Sequence, residues 1–181
     1  MTKCGGYSMS SIGDSYVRDA CRVTRYRKLC IRSLRSFSNS ARRSPRRWAL
    51  AAVFVTMNEA KNVSRLLNTM KEQAFFRRRQ RIALSDCIEC LRDTTDSLYD
   101  SLGELRTLDA RTFNLQMGNV ETWVSAALSD EDSCLDGFNA RRGKHVMVIH
   151  NKVVKLTHLT SNALALVSKL ASYRGGSLSS P

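Results

Sequence analysis

Proline occurs at only two positions of the 181-residue chain, Pro45 and the terminal Pro181, and between them apolar residues recur at helical spacing. With no interior proline to remove a backbone donor, nothing forces these stretches out of helix. An all-β fold would need frequent turns rich in Gly and Pro, and the chain holds only nine glycines. An all-α fold is expected.

Ser44-Pro45 reads as a helix start, with Ser as N-cap and Pro in the first turn, where its missing N–H costs nothing. Trp48, Val55, Val63, Leu66 and Met70 then keep a 3–4 spacing, which predicts a helix of about 26 residues, roughly 39 Å long. Phe75–Gln80 interrupts it. The next helix places Leu84, Cys87, Leu91, Leu98, Leu102 and Leu105 inward, until Thr107–Asn114 breaks the pattern. A third begins near Leu115 with Met117, Val120, Val124 and Ala127 inward, and stops around Gly137 or Gly143. The last runs from Lys144 to about Leu170 through Val146, Ile149, Val153, Leu156, Ala163 and Val167. Helices of similar length, short connections and one apolar stripe each have an economical solution, the antiparallel up-down-up-down four-helix bundle. Ahead of it, two short amphipathic pieces between Tyr16 and Phe37 meet around Thr24–Lys28 as an N-terminal helical hairpin. The expected organisation is a tail over 1–13, a hairpin over 14–40, a bundle over 44–172 and a second tail over 173–181.

Six cysteines are present: Cys4, Cys21, Cys30, Cys87, Cys90 and Cys134. Cys87 and Cys90 form a C-x-x-C, yet no second pair and no paired histidine follows at a zinc-site interval. His145, His150 and His158 are spaced so that at most two share a helix face, and no metal site is expected. Disulfides fit better and imply an oxidising, secretory route, although Met1–Ser15 carries no apolar signal core. Cys21 and Cys30 flank the hairpin turn and are placed to bridge it. Antiparallel neighbours bring Cys87, near the start of the second long helix, toward Cys134, near the end of the third, with Cys90 as the competing partner. Cys4 and Cys90 are expected to remain unpaired.

The formal net charge of +13 is unevenly distributed. Residues 1–85 sum to +15, residues 86–138 to −9 and residues 139–181 to +7. Partners must therefore be argued segment by segment. No apolar run approaches the roughly 20 residues that a membrane-spanning helix needs. No nucleophile elbow, phosphate-binding loop, H-E-x-x-H or dinucleotide turn is present, so neither catalysis nor a cofactor is expected. Aromatic residues are not interleaved with the arginines, which leaves nucleic-acid stacking unsupported.

The acidic middle contains a pattern of its own. Asp86, Glu89, Asp93, Asp96 and Asp100 recur at intervals of three, four, three and four, and so form one stripe on a helix flank. Like charges one turn apart cost a few tenths of a kcal/mol per pair, without structural return. The stripe is either a solvated face or a docking face for a basic partner, where such charges raise association rate and specificity.

Several segments in order resemble the plant invertase/pectin methylesterase inhibitor family. They are Tyr16-Val-Arg-Asp-Ala-Cys21 with Thr24, Tyr26 and Leu29-Cys30, then Ala83-Leu-Ser-Asp-Cys87. Asn119-Val-Glu-Thr-Trp-Val-Ser-Ala-Ala-Leu128 follows, leading to Ser133-Cys134-Leu-Asp-Gly-Phe138, and then Ser161-Asn-Ala-Leu-Ala-Leu166. The resemblance covers roughly 14–172. It implies a four-helix bundle with an N-terminal hairpin, disulfides Cys21–Cys30 and Cys87–Cys134, secretion to the apoplast and cell wall, and no catalysis. Members that inhibit invertase carry a Pro-Lys-Phe element between the second and third helices. Here that region reads Leu108-Asp-Ala-Arg-Thr-Phe113, which together with Thr122–Leu128 resembles the pectin methylesterase branch. Inhibition of invertase is the alternative.

That branch implies a 1:1 complex in which the inhibitor covers the pectin-binding cleft of the esterase. Carried over by position, the interface residues are Glu89, Asp93, Asp96, Thr122, Ser133 and Asp136. Each has a plainer role to weigh: Ser133 as a cap, Thr122 bonded within its own helix. Asn162 is assigned to satisfying buried backbone. The clusters Arg42-Arg43 with Arg46-Arg47, and Arg77-Arg78-Arg79 with Arg81, sit at the two ends of the first long helix. They are solvated tips, or contacts for de-esterified pectin, a polyanion, or for an acidic esterase, and a pectin/polyanion-binding module is the alternative of another class. Asn62-Val-Ser64 is an N-glycosylation sequon in mid-helix.

Overall fold

The computed structural model of the chain describes residues 9–73, 76–138 and 143–175. The α-helices are α1 (Met9–Ala20), α2 (Arg27–Leu34), α3 (Ser38–Ala41), α4 (Pro45–Glu72), α5 (Arg78–Arg106), α6 (Phe113–Asp136) and α7 (Lys144–Gly175), with 3-10 turns at Cys21–Val23 and Arg35–Phe37. No strand occurs among the described residues. Cys4 lies outside them. Both ends differ from the expected boundaries: α1 begins at Met9, inside the segment assigned to a tail, and α7 continues to Gly175. Once nucleated, a helix extends past its last apolar position at little cost.

The long helices pack as α4–α5, α5–α6, α6–α7 and α7–α4, which closes a four-helix ring with sequential neighbours antiparallel. Each start and stop has a local cause. Ser44 Oγ accepts the Arg47 N–H, and Pro45 occupies the first turn of α4. Gln80 Oε1 accepts the Arg77 N–H at 3.0 Å ahead of α5. At the far end of α5, the Arg46 guanidinium donates to the carbonyls of Leu105 and Arg106 at 2.9 and 2.7 Å. It thereby satisfies terminal carbonyls and sets a cation against the negative end of the helix dipole. The α5–α6 turn is tied by Gln116 and Asn119, whose amides both donate to the Glu104 carboxylate at 2.8 and 3.0 Å.

All the core positions expected on α5, α6 and α7 are buried. On α4, Val55 and Leu66 are only half-buried, and Val53, Met57, Ala60 and Leu67 fill the core instead. Residues 49 to 55 of α4 are all apolar, so spacing alone did not select a face there, and Val55 borders a small gap beside Cys30 and Leu34 of the hairpin.

The hairpin is closed by the Cys21–Cys30 disulfide, and Cys87–Cys134 joins α5 to α6. Cys90 is the unpaired thiol among the described residues, so it does not compete for Cys134. The hairpin sits on α4 and α7, with Val17, Cys21, Cys30 and Leu34 buried. Tyr26 at its turn stacks on His158 of α7 at 3.6 Å between ring centroids. Burial, then the nearby Arg25 charge, lowers the His158 pKa from its ordinary value.

Candidate functional site

Asp86, Glu89, Asp93, Asp96 and Asp100 are all exposed on α5, away from its buried Leu84, Leu91 and Leu98. Arg92 is the cation among them, 3.2 Å from Glu89 and 3.7 Å from Asp93. Asp86, Asp96 and Asp100 make no hydrogen bond or ion pair among the described residues. The chain thus keeps a row of five carboxylates in which Arg92 compensates only Glu89 and Asp93.

The Cys87–Cys134 bond and the hydrogen bond from Thr94 Oγ1 to the Ala127 carbonyl set the antiparallel register of α5 and α6. Ser133 and Asp136 therefore lie level with the Asp86 end of the stripe, and Thr122 lies level with the Asp100 end. All three are exposed. Acidity continues into the groove between the helices, where burial, then Asp93, raises the pKa of Asp130. Burial, then Asp130 and Asp93, likewise raises the Cys90 thiol, which disfavours the thiolate.

Thr122 Oγ1 donates to the Gly118 carbonyl and Ser133 Oγ to the Ser129 carbonyl, each at 2.8 Å. These are the plainer roles within the helix. They also leave each hydroxyl facing outward with acceptor capacity alone, which suits a donor-rich, cationic partner. Asn162, 3 % exposed, binds backbone of the hairpin as its structural assignment required.

Two features of this region escaped the sequence reading. Tyr99 is 63 % exposed one turn from Asp96, a large aromatic beside the stripe of the kind that anchors protein interfaces. Its signal was an aromatic residue off the leucine stripe. Glu131 is fully buried on α6, where the Thr160 hydroxyl donates to its Oε1 at 2.6 Å and its Oε2 has no hydrogen-bond partner. Burial pushes its pKa up to about 8, offset in part by the hydroxyls of Thr160 and Thr157. The spacing of four from Ala127 and three to Cys134 placed it on the core face.

The basic clusters divide by role. Arg46 caps α5, Arg47 donates to the Ser40 carbonyl at 2.7 Å and Arg42 to the Asn39 carbonyl at 3.1 Å. Arg77, Arg78, Arg79 and Arg81 are exposed around the start of α5, where cations oppose the helix dipole. Asn62 is exposed on α4, with its amide oxygen accepting from Arg65. Among the described residues, no group of His, Cys, Asp and Glu is placed to hold a metal ion, and no helix is long and apolar enough to cross a membrane.

A profile of the plant invertase/pectin methylesterase inhibitor family matches residues 15–166. The chain belongs to that family. Among relatives of this plant invertase/pectin methylesterase inhibitor family member, Pectinesterase inhibitor 6 of Arabidopsis thaliana is 48 % identical over 159 residues, spanning 87 % of this chain and 76 % of the relative. Pectinesterase inhibitor 9 of the same plant is 38 % identical over 172 residues, spanning 91 % and 84 %. The crystal structure of a mutant form of an Arabidopsis pectin methylesterase inhibitor superposes with a TM-score of 0.65 at 19 % identity, covering 82 % of this chain and 92 % of that one. A second crystal structure, of a pectin methylesterase inhibitor from Arabidopsis thaliana, gives 0.60 at 20 % identity, covering 86 % and 96 %. These superpositions carry the helical-bundle fold.

Proposed function

We propose that this chain is a secreted, non-catalytic inhibitor of plant pectin methylesterase that binds the enzyme 1:1 and occludes its pectin-binding cleft. The observation that carries the reading is the exposed row of five carboxylates from Asp86 to Asp100, compensated by Arg92 alone and level with Thr122 at one end and with Ser133 and Asp136 at the other. Such a face loses free energy to self-repulsion in the isolated protein and regains it against a basic groove. The relatives named pectinesterase inhibitors supply the enzyme class. Two disulfides and the wall-located substrate of that enzyme agree with an apoplastic site of action.

In this reading Glu89, Asp93 and Asp96 meet basic side chains of the esterase, and the outward acceptors of Thr122 and Ser133 take hydrogen bonds at the margin. Pectin is excluded by bulk, so no bond in the substrate or enzyme is made or broken by the inhibitor. Light scattering on a size-exclusion column tests the stoichiometry. A mixture with purified pectin methylesterase should elute as one species with the mass of one copy of each, and separate elution at micromolar concentrations contradicts it. Plant invertase run in parallel should elute apart, whereas a complex with invertase alone would reassign the target.

A further inference from the structure

We propose that a cleft between the N-terminal hairpin and α7 is a binding site for an acidic sugar, a uronide with a free carboxylate. The cavity, about 490 Å³, opens where α1, the Arg42–Arg43 turn, the start of α4 and α7 meet. Its size falls in the roughly 300–1,000 Å³ range of small-molecule sites. Four cations, Arg22, Arg42, Arg43 and Lys169, line it against a single carboxylate, Asp19. Asp19 lies 3.7 Å from Arg22 and is spent on it. The side chains of Arg43 and Lys169 make no hydrogen bond or ion pair among the described residues. Cations gathered without a counter-ion repel one another, and a bound anion relieves that repulsion.

The rest of the lining selects the kind of anion. Tyr16 and Tyr173 border the cleft, and Tyr173 is 68 % exposed with its ring uncovered. Tyrosine offers an apolar face for the C–H side of a sugar ring and a hydroxyl for its polar edge. A small inorganic anion would leave those rings unused, and an apolar ligand would desolvate cations without compensating them. A ring that carries both hydroxyls and a carboxylate satisfies both parts.

Backbone geometry points the same way. Arg42 is the non-glycine residue at positive φ among the described residues, at 46°. Such a conformation persists where its surroundings over-determine it. Here the buried Trp48 indole donates to the Arg42 carbonyl at 2.8 Å, and the Arg42 N–H donates to the Ser38 carbonyl at 3.0 Å. Two consecutive arginines are thereby held at the rim. None of the lining residues belongs to α5 or α6, so the site is separate from the acidic face and stands or falls independently of the esterase complex.

Isothermal titration of the whole chain tests the proposal with three probes: trigalacturonic acid, its fully methyl-esterified form and inorganic phosphate. The acid trimer should bind saturably, with the ester and phosphate each at least tenfold weaker. Arg43→Gln/Lys169→Gln should weaken the acid at least tenfold while the circular dichroism spectrum and Tm stay those of the unaltered chain. Tyr173→Ala, at an exposed position, should weaken it severalfold without unfolding. Arg77→Gln/Arg81→Gln, at the other basic cluster, should leave it unchanged. Absence of saturable binding, equal binding of phosphate or ester, or dependence on Arg77 and Arg81 in place of Arg43 and Lys169 would overturn the assignment.

Discussion

Asn162 of α7 binds both backbone polar groups of Tyr26, 136 residues away: its Oδ1 accepts the Tyr26 N–H at 3.0 Å and its Nδ2 donates to the Tyr26 carbonyl at 3.1 Å. One side chain thus docks the apex of the hairpin on the bundle, where the Tyr26 ring stacks on His158. Removing it leaves the Tyr26 N–H without a partner, at roughly 1–3 kcal/mol for a buried group left unpaired, while the Tyr26 carbonyl keeps the Cys30 N–H at 2.9 Å. Asn162→Ala should lower stability by about 1–3 kcal/mol, centred on the hairpin. Limited proteolysis should cut near Arg25–Lys28 well before the bundle is cleaved. Coincident loss of hairpin and bundle would show that the clamp is not local.

Glu131 makes stability depend on pH. Its folded pKa, about 8, lies above its ordinary value of 4.5, so the folded state holds a proton that the unfolded chain has released. Its contribution is fully present below pH 4.5, declines as pH rises toward 8 and levels off above that. The limiting slope is about 1.4 kcal/mol per pH unit for one proton. Urea unfolding between pH 4.5 and 8.5 should show this decline. Glu131→Gln, which keeps the shape and an acceptor for Thr160, should flatten it, and an unaltered profile in that variant would remove Glu131 as the cause.

The disulfides should differ in worth. Cys87–Cys134 closes a separation of 47 residues and Cys21–Cys30 one of 9. Loop-closure entropy credits them with about 4 and about 2.5 kcal/mol respectively. Paired alanine replacement at 87 and 134 should therefore cost more stability than replacement at 21 and 30, as read from thermal unfolding. The reverse order would mean that strain or residual structure in the unfolded chain dominates.

Much of this architecture was legible in the sequence because α5, α6 and α7 carry large apolar residues separated by polar ones, as in Leu84 to Leu105. On α4 the run from Ala49 to Val55 is apolar on every face, so spacing alone does not separate the fully buried Val53 from the half-buried Val55. Glu131 was hidden by its acidic neighbours Asp130 and Asp132, although the period assigns it inward. The acidic stripe needed only helical arithmetic. The partners of Asn162, Arg46 and Arg47 could not be read, since each binds a backbone atom that only the fold brings close.

The stripe should act through association. Asp93→Lys/Asp96→Lys reverses two exposed charges that touch no core residue, so Tm should shift little. The association rate with pectin methylesterase should fall at least tenfold at low salt, and the difference should shrink as salt is raised. A rate unchanged in surface plasmon resonance returns the stripe to a solvated face.

Methanol release from esterified pectin reads inhibition of the esterase directly. With pectin methylesterase held at fixed concentration, added inhibitor should abolish release near one equivalent between pH 5 and 7, and the Asp93→Lys/Asp96→Lys chain should need a large excess. Full activity of several esterase isoforms at micromolar excess of the unaltered chain would contradict the account.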